Sequence, residues 1–198
     1  MLASRKGHST GQKKPFKQED VWRIRTRLEM NGNIRELALL NLAIDCKLRS
    51  CDLLRIKVQD IASNGVIHDR VLYTQSKTGQ DVQFEITSST QQSISQWLYQ
   101  AQLQPQDFLF PSPRKPKQPM SYSLYAKTIR KWASSLGLDP TLYGTHTMRR
   151  TKATLIYART KNIRAVQLLL GHVKLDNTIR YLGVEIEDAL KLSEGIQM

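Results

Sequence analysis

Residues 144–151 read G-T-H-T-M-R-R-T, and residues 169–184 read L-L-G-H-V-K-L-D-N-T-I-R-Y-L-G-V. An apolar stretch of helical character joins them. Four side chains stand out here: His146, Arg149, His172 and Tyr181. Thr145 can cap a helix running from His146 to about Tyr157, and His146 and Arg149, three apart, then share a face of its first turn. A second helix is expected from about Asn162 to Leu170, with Gly171 in a natural C′ position. Asp176 or Asn177 can start a third short helix, which carries Tyr181.

The whole chain has 198 residues and is 40% hydrophobic, enough to bury a real core. Its formal net charge of +13 favours a polyanionic partner. A membrane surface is the competing reading, but no apolar run approaches the roughly 18 residues of a spanning helix. The start, Met1 to Lys17, is polar and basic and has no apolar signal region, so a cytoplasmic nucleic acid is expected. Cys46 and Cys51 flank a helix break and are expected as free thiols. Neither a C-x-x-C pair nor an H-E-x-x-H occurs, and no metal or other cofactor is expected.

Upstream of the C-terminal third, residues 1–16 are expected to be a flexible basic arm, either a solvated tail or a phosphate-tracking segment. From Gln18 the pattern is helical, with Val21, Ile24 and Leu28 on one face, and N31-G-N33 stops it. A second helix, Ile34 to about Cys46, is apolar on most sides and so is expected at the centre. Asp52 begins a short helix, with Arg49 at the turn before it, and Asp52 is placed to buttress the Arg49 guanidinium. Short β-type runs follow at Val66–Ile67, Val71–Tyr73 and Val82–Ile86. They predict one small antiparallel sheet of about three strands, with a hairpin turn at S-K-T-G-Q, 76–80, and Lys77 at its tip. Thr87, Ser88 or Ser89 can cap a helix to about Gln102. Residues 104–119 hold five of the seven prolines and form an extended loop whose D-F-L-F-P segment can pack. Ser121 starts a helix to Gly137 whose wet face carries Lys127, Arg130 and Lys131, which with Arg150 are candidate DNA contacts. At the C-terminus, Ile186, Ala189, Leu190 and Ile196 form an apolar stripe on a last helix. It would pack on its own domain or dock on a neighbour.

A phenol attacking a phosphodiester faces two problems. At a pKa near 10 it is almost wholly protonated at pH 7, a handicap of roughly 4 kcal/mol. The pentavalent transition state also gathers negative charge. Two arginines match phosphate geometry and stay charged. A histidine can take the phenolic proton, and a lysine can protonate the leaving oxygen. Arg49, Lys77, His146, Arg149, His172 and Tyr181 supply that list. Singly, each has a plain structural reading: a capping histidine, a solvated basic pair, a half-buried aromatic. Together they form a set.

These motifs resemble the tyrosine recombinases, the phage-integrase family. H-T-M-R-R-T resembles that family's H-x-x-R box. L-L-G-H, with Tyr181 nine residues on, resembles its second-histidine and nucleophile box. K-L-R-S-C-D-L-L-R-I, 47–56, is similar to its first-arginine box, and S-K-T-G, 76–79, to its hairpin lysine. The resemblance spans roughly residues 17–190. It implies a mainly α catalytic domain with a small antiparallel sheet, over 17–198, with no separate N-terminal DNA-binding domain. This is the short type similar to the fimbrial phase-variation recombinases. It implies a site-specific recombinase that integrates, excises or inverts DNA through a 3′-phosphotyrosyl link. Tyr181 would be the nucleophile, Arg49 and Arg149 the transition-state clamp, His146 the base, Lys77 the acid, and His172 a phosphate support. The implied partners are double-stranded DNA, three further copies in a homo-tetramer on two synapsed sites, and DNA-bending accessory proteins. The setting would be a bacterial nucleoid or mobile element. Two rivals stay open: a DNA-binding accessory protein on an inactive integrase fold, and a DNA-relaxing topoisomerase of the same chemistry.

Overall fold

The computed structural model describes residues 12–182 and Glu194. The expected helix over 186–196 therefore lies outside the described residues. The described elements are α1 (Gln18–Met30), α2 (Ile34–Cys46), α3 (Ser50–Leu53), β1 (Ala62–Ser63), β2 (Val66–Ile67), β3 (Arg70–Thr74), β4 (Asp81–Glu85), α4 (Ser88–Ala101), α5 (Tyr122–Ser135), α6 (Thr145–Thr160), α7 (Ile163–Leu170) and α8 (Leu175–Leu182). None of these helices is long and apolar enough to cross a membrane.

The fold is built around α2, as its all-round apolar sequence predicts. Every residue from Leu37 to Cys46 is buried, and α2 packs on α1, α4, α6 and β4. Its ends follow from local chemistry. Asn33 caps its start, accepting the backbone N–H of Glu36 at 3.4 Å. At its other end Lys47 adopts a left-handed conformation, φ 53°. That costs roughly 1–2 kcal/mol in a residue with a Cβ, and buried interactions offset it. The Lys47 ammonium, with its side chain wholly buried, lies 3.1 Å from Glu85. Lys152 of α6 then bridges Glu85 and Asp45, the latter at 2.7 Å. Burial alone would raise the Asp45 carboxyl, but hydrogen bonds from Lys152, Thr90 and Thr87 outweigh it and hold the pKa below the ordinary value. This four-charge knot ties α2, β4, α4 and α6 together.

The strands fall in two hairpins, β1–β2 and β3–β4, not in one three-stranded sheet. Asn64 and Gly65, at φ 51° and 79°, turn the chain tightly enough to give β2 a partner immediately upstream, Ala62–Ser63. The chain then bends at His68–Asp69 before β3 pairs with β4, Arg70 opposite Glu85. The proline-rich loop packs as its D-F-L-F-P segment implies: Leu109 and Phe110 are fully buried, and Trp97 donates to the Leu109 carbonyl at 2.7 Å.

The segment expected to be a flexible arm is seated on the domain over its described residues, 12–16. Phe16 is buried and stacks on Tyr143 at 4.8 Å. Lys14 donates its N–H to the Leu142 carbonyl at 2.9 Å. Burial of one aromatic ring overrides the polar composition of its neighbours.

Candidate active site

Arg149 sits in the first turns of α6, on the face that packs against α2. Gly144, not Thr145, is the cap of α6; its N–H donates to the Thr147 hydroxyl at 3.0 Å. Thr145 lies within the helix and donates its hydroxyl to Tyr122 at 2.9 Å. Arg149 is 3% exposed. Its guanidinium donates to the Lys47 carbonyl at 2.9 Å and the Leu170 carbonyl at 2.7 Å. The left-handed turn at Lys47 aims the first of these carbonyls. The second is a free acceptor at the C-terminus of α7, where orphan carbonyls point outward.

Arg49 caps α3, and its side chain donates to the Gln75 side-chain oxygen. The expected Asp52–Arg49 buttress does not form. Asp52 is fully buried, and one of its oxygens accepts the Ser76 backbone N–H at 3.0 Å and the Ser76 hydroxyl. Its other oxygen has no hydrogen-bond partner among the described residues. Asp52 thus fastens the β3–β4 hairpin at the residue before Lys77. Gln75 takes over the buttress role. It is fully buried, and its amide nitrogen donates to the Leu170 carbonyl at 3.1 Å. Arg49 and Arg149 are therefore linked through one side chain and one shared carbonyl. Nothing in the sequence singled out Gln75, because a glutamine beside a hairpin turn reads as ordinary turn polarity.

Gly171 ends α7 at φ 63°. A Cβ there would collide with Val82 and Gln75, so this glycine serves both the left-handed turn and the close approach of α7 to the hairpin. The turn places His172 between Arg149 and α8. Its Nε2 lies 3.4 Å from the Arg149 guanidinium and its Nδ1 3.1 Å from the Thr178 hydroxyl. Arginine can only donate, so Nε2 faces it as the acceptor and Nδ1 carries the proton toward Thr178. Partial burial, then Arg149 and Arg49, push the His172 pKa down to about 4. In this arrangement the ring supports an arginine.

Tyr181 lies edge-on to His172, ring centroids 5.4 Å apart, and the Arg150 guanidinium sits 5.2 Å from its ring centre. Its hydroxyl is buried and has no well-formed hydrogen bond among the described residues, although the Arg149 side chain reaches toward it. Burial pushes its pKa up to about 12, against the lowering pull of Arg149 and Arg150. Ionising it at pH 7 therefore costs about 7 kcal/mol, more than a free phenol. Some group must take the proton. His146 is the nearby candidate: partial burial, then Arg149, Arg150 and Arg49, hold its pKa below the ordinary value, so its ring is a neutral acceptor at pH 7.

Five of the six expected residues are thus gathered. Arg49, His146 and Arg149 line one small cavity of about 260 Å³, His172 touches Arg149, and Tyr181 touches His172. Lys77 is exposed at the hairpin tip, with no hydrogen bond or ion pair to the other five among the described residues. Of the candidate DNA contacts, Lys127, Arg130 and Lys131 are exposed on α5, Lys131 lying 3.6 Å from Glu36. Arg150 is buried, at 7% exposure.

Comparison with known proteins places this geometry in context. The phage integrase family pattern matches residues 14–187. A probable integrase/recombinase of Bacillus subtilis, YoeC, is 32% identical over 156 residues, covering 79% of this chain and 81% of that protein. A tyrosine recombinase of Pseudothermotoga lettingae is 30% identical over 152 residues, 77% of this chain but 50% of that protein. Among solved structures, the XerA recombinase superposes with a TM-score of 0.73 at 17% identity, over 93% of this chain and 65% of that one. The XerH site-specific recombinase bound to difH substrate gives 0.70 at 19% identity, over 92% of this chain and 54% of that one. The chain thus spans four-fifths of YoeC and between half and two-thirds of the three longer recombinases.

Proposed function

The chain belongs to the phage integrase family, and from that premise we propose that it is a site-specific DNA recombinase working through a 3′-phosphotyrosyl intermediate. The observation that carries this reading is the convergence of Tyr181, His172 and Arg149, with Arg49 linked to Arg149 through Gln75 and the Leu170 carbonyl. The Tyr181 oxygen attacks phosphorus and gives its proton to His146. Arg49 and Arg149 hold the non-bridging oxygens as charge develops. The bond from phosphorus to the 5′-oxygen breaks, and that oxygen takes a proton from Lys77, swung in from the hairpin tip. The phosphotyrosyl ester keeps the energy of the broken phosphodiester, so a 5′-hydroxyl can reverse the step without ATP. His172 steadies Arg149 and, through it, the phosphate.

Double-stranded DNA is the partner this chemistry requires, with the exposed Lys127, Arg130 and Lys131 tracking its backbone. A homo-tetramer on two synapsed sites, helped by DNA-bending proteins, is the working assembly. Its setting is a cytoplasmic nucleoid or mobile element. The catalytic domain runs from residue 17 to 198. Among possible outcomes we favour inversion, as in the fimbrial phase-variation type that the motifs resemble.

The test is a suicide duplex, its sequence selected from DNA that the protein retains, resolved on a denaturing gel. Wild type gives a covalent protein–DNA adduct, and Tyr181→Phe gives none. A wild type that retains the duplex without any adduct would make it a binding protein on an inactive fold. Relaxed circles without recombinant products would make it a topoisomerase.

A further inference from the structure

Beside the Arg49–Arg149 seat lies a second cavity, of about 420 Å³, lined by Lys13, Arg130, Thr145, His146, Arg150 and Tyr181 among others. The two cavities share Tyr122, Thr145 and His146. No carboxylate lines the second one among the described residues. It opens at the first turn of α6, a helix of 16 residues whose leading N–H groups carry the positive end of the dipole.

Three polar atoms around this cavity are buried and lack a well-formed hydrogen bond among the described residues: Arg150 Nε, Arg150 Nη1 and the Tyr181 hydroxyl. The two guanidinium nitrogens can only donate, and the phenol has a proton to give. An unmet donor in a buried site costs about 1–3 kcal/mol, more for a charged group, so the arrangement lacks an acceptor. Arg150 is more than nine-tenths buried as a residue, and among the described residues no carboxylate pairs with it. Stacking on Tyr181 at 5.2 Å compensates only part of that charge. An anion with several acceptor oxygens would satisfy all of it.

We propose that this cavity is a second phosphate site, in which Arg150, with Lys13, Arg130 and the α6 N-terminus, takes the DNA backbone phosphate next to the one held by Arg49 and Arg149. The inference rests on the recombinase reading for its ligand. It adds that the phosphate drawn in by Arg150 meets the guanidinium that stacks on Tyr181, so DNA seating and release of the nucleophile are coupled at one side chain.

The experiment uses the full chain and a mixed-sequence duplex, with affinity measured against salt concentration for wild type, Arg150→Gln and Arg150→Lys. If Arg150 binds a phosphate, Arg150→Gln lowers the salt slope by about one and weakens binding about tenfold. Arg150→Lys, which keeps the charge, restores the slope. A companion measurement needs no variant: titration of wild type with inorganic phosphate, followed by the ¹⁵Nε resonances of arginine, should shift the Arg150 signal saturably. An Arg150→Gln protein with a wild-type salt slope would overturn the proposal and leave Arg150 as a support for Tyr181. So would an Arg150 resonance that ignores phosphate. The recombinase reading fails separately, by the absence of a wild-type adduct, whatever the slope.

Discussion

Arg149 and Tyr181 belong to one site but rest on different amounts of core. Arg149 stands on α6 beside Met148, which joins the large cluster centred on α2. That cluster is reinforced by the Lys47–Glu85–Lys152–Asp45 knot. Tyr181 stands on α8, whose one buried residue is Thr178. The cluster beneath it consists of Ala153, Val166 and Leu170, with Ile156, Tyr157 and Leu182 partly buried around it. In the proposed reaction, then, the half that holds charge in fixed geometry is deeply packed, and the half that moves a phenol toward phosphorus is lightly packed. Elements with few buried contacts open at lower free energy than the core. On the proposed reading, a phenol whose hydroxyl is buried and poorly acidic at rest needs such a hinge to become reactive.

Core deletions should break this comparison most severely. Leu40 and Leu170 are both fully buried, one in each cluster. Leu40→Ala should cost about 2–5 kcal/mol of global stability, read by denaturant unfolding. Leu170→Ala should cost markedly less globally and appear mainly as faster hydrogen exchange in α7 and α8. Equal global losses, with α2 amides exchanging alongside α8, would mean that the two halves are one cooperative unit.

The charge knot gives the next largest effect. Lys152→Met strands the buried Asp45 carboxylate with its threonine donors and removes one of the two lysines at Glu85. Breaking such a knot costs about 3 kcal/mol, the low end for a buried pair because Glu85 and Lys152 are partly solvated. The pH dependence follows from the carboxyls. Asp45 and Glu85 both have depressed pKa values, so their contribution is present at neutral pH and lost as pH falls through the folded values. The gap between wild type and Lys152→Met should therefore close in acid. A gap that persists unchanged below the carboxylate range would show that Lys152 acts by packing alone.

The contrast between the halves also explains what was legible in the sequence. Tyr181, Arg149, Arg49 and both histidines, which the structure gathers, stand out in the sequence because the proposed chemistry dictates their residue types, and α2 because burial on all sides dictates its composition. Gln75, Thr178 and the Leu170 carbonyl do not. Gln75 reaches the Leu170 carbonyl across 95 residues of chain, that carbonyl is backbone and carries no sequence signature, and Thr178, six residues from His172, reads as ordinary helix polarity. The Asp52–Arg49 pair was inferred from a spacing of three, but Arg49 is the cap of α3. Its side chain reaches Gln75 on the hairpin, while Asp52 reaches Ser76. The β1–β2 hairpin was missed because two-residue strands are too short to show alternation. The buried state of Arg150 was hidden for a related reason: two adjacent arginines look alike in sequence, while the helix turns them toward different cavities.

The smallest predicted effect is the most local. Thr178→Val removes the acceptor for His172 Nδ1 and should cost about 1 kcal/mol, confined to α8 and the 171–174 turn. Its pH dependence runs opposite to that of a histidine gaining a carboxylate. The folded-state pKa of His172, about 4, lies below its ordinary 6.5. The neutral ring is therefore the folded one, and its stabilisation is complete above pH 6.5 and lost as pH falls toward 4. Hydrogen-exchange protection of α8 should decline across that window in wild type while α2 stays protected. Thr178→Val should show lower α8 protection already at pH 7, because the ring has lost its fixed tautomer. Protection of α8 that stays level from pH 7 to pH 4 would mean that His172 is not the latch between the arginine half and the nucleophile half.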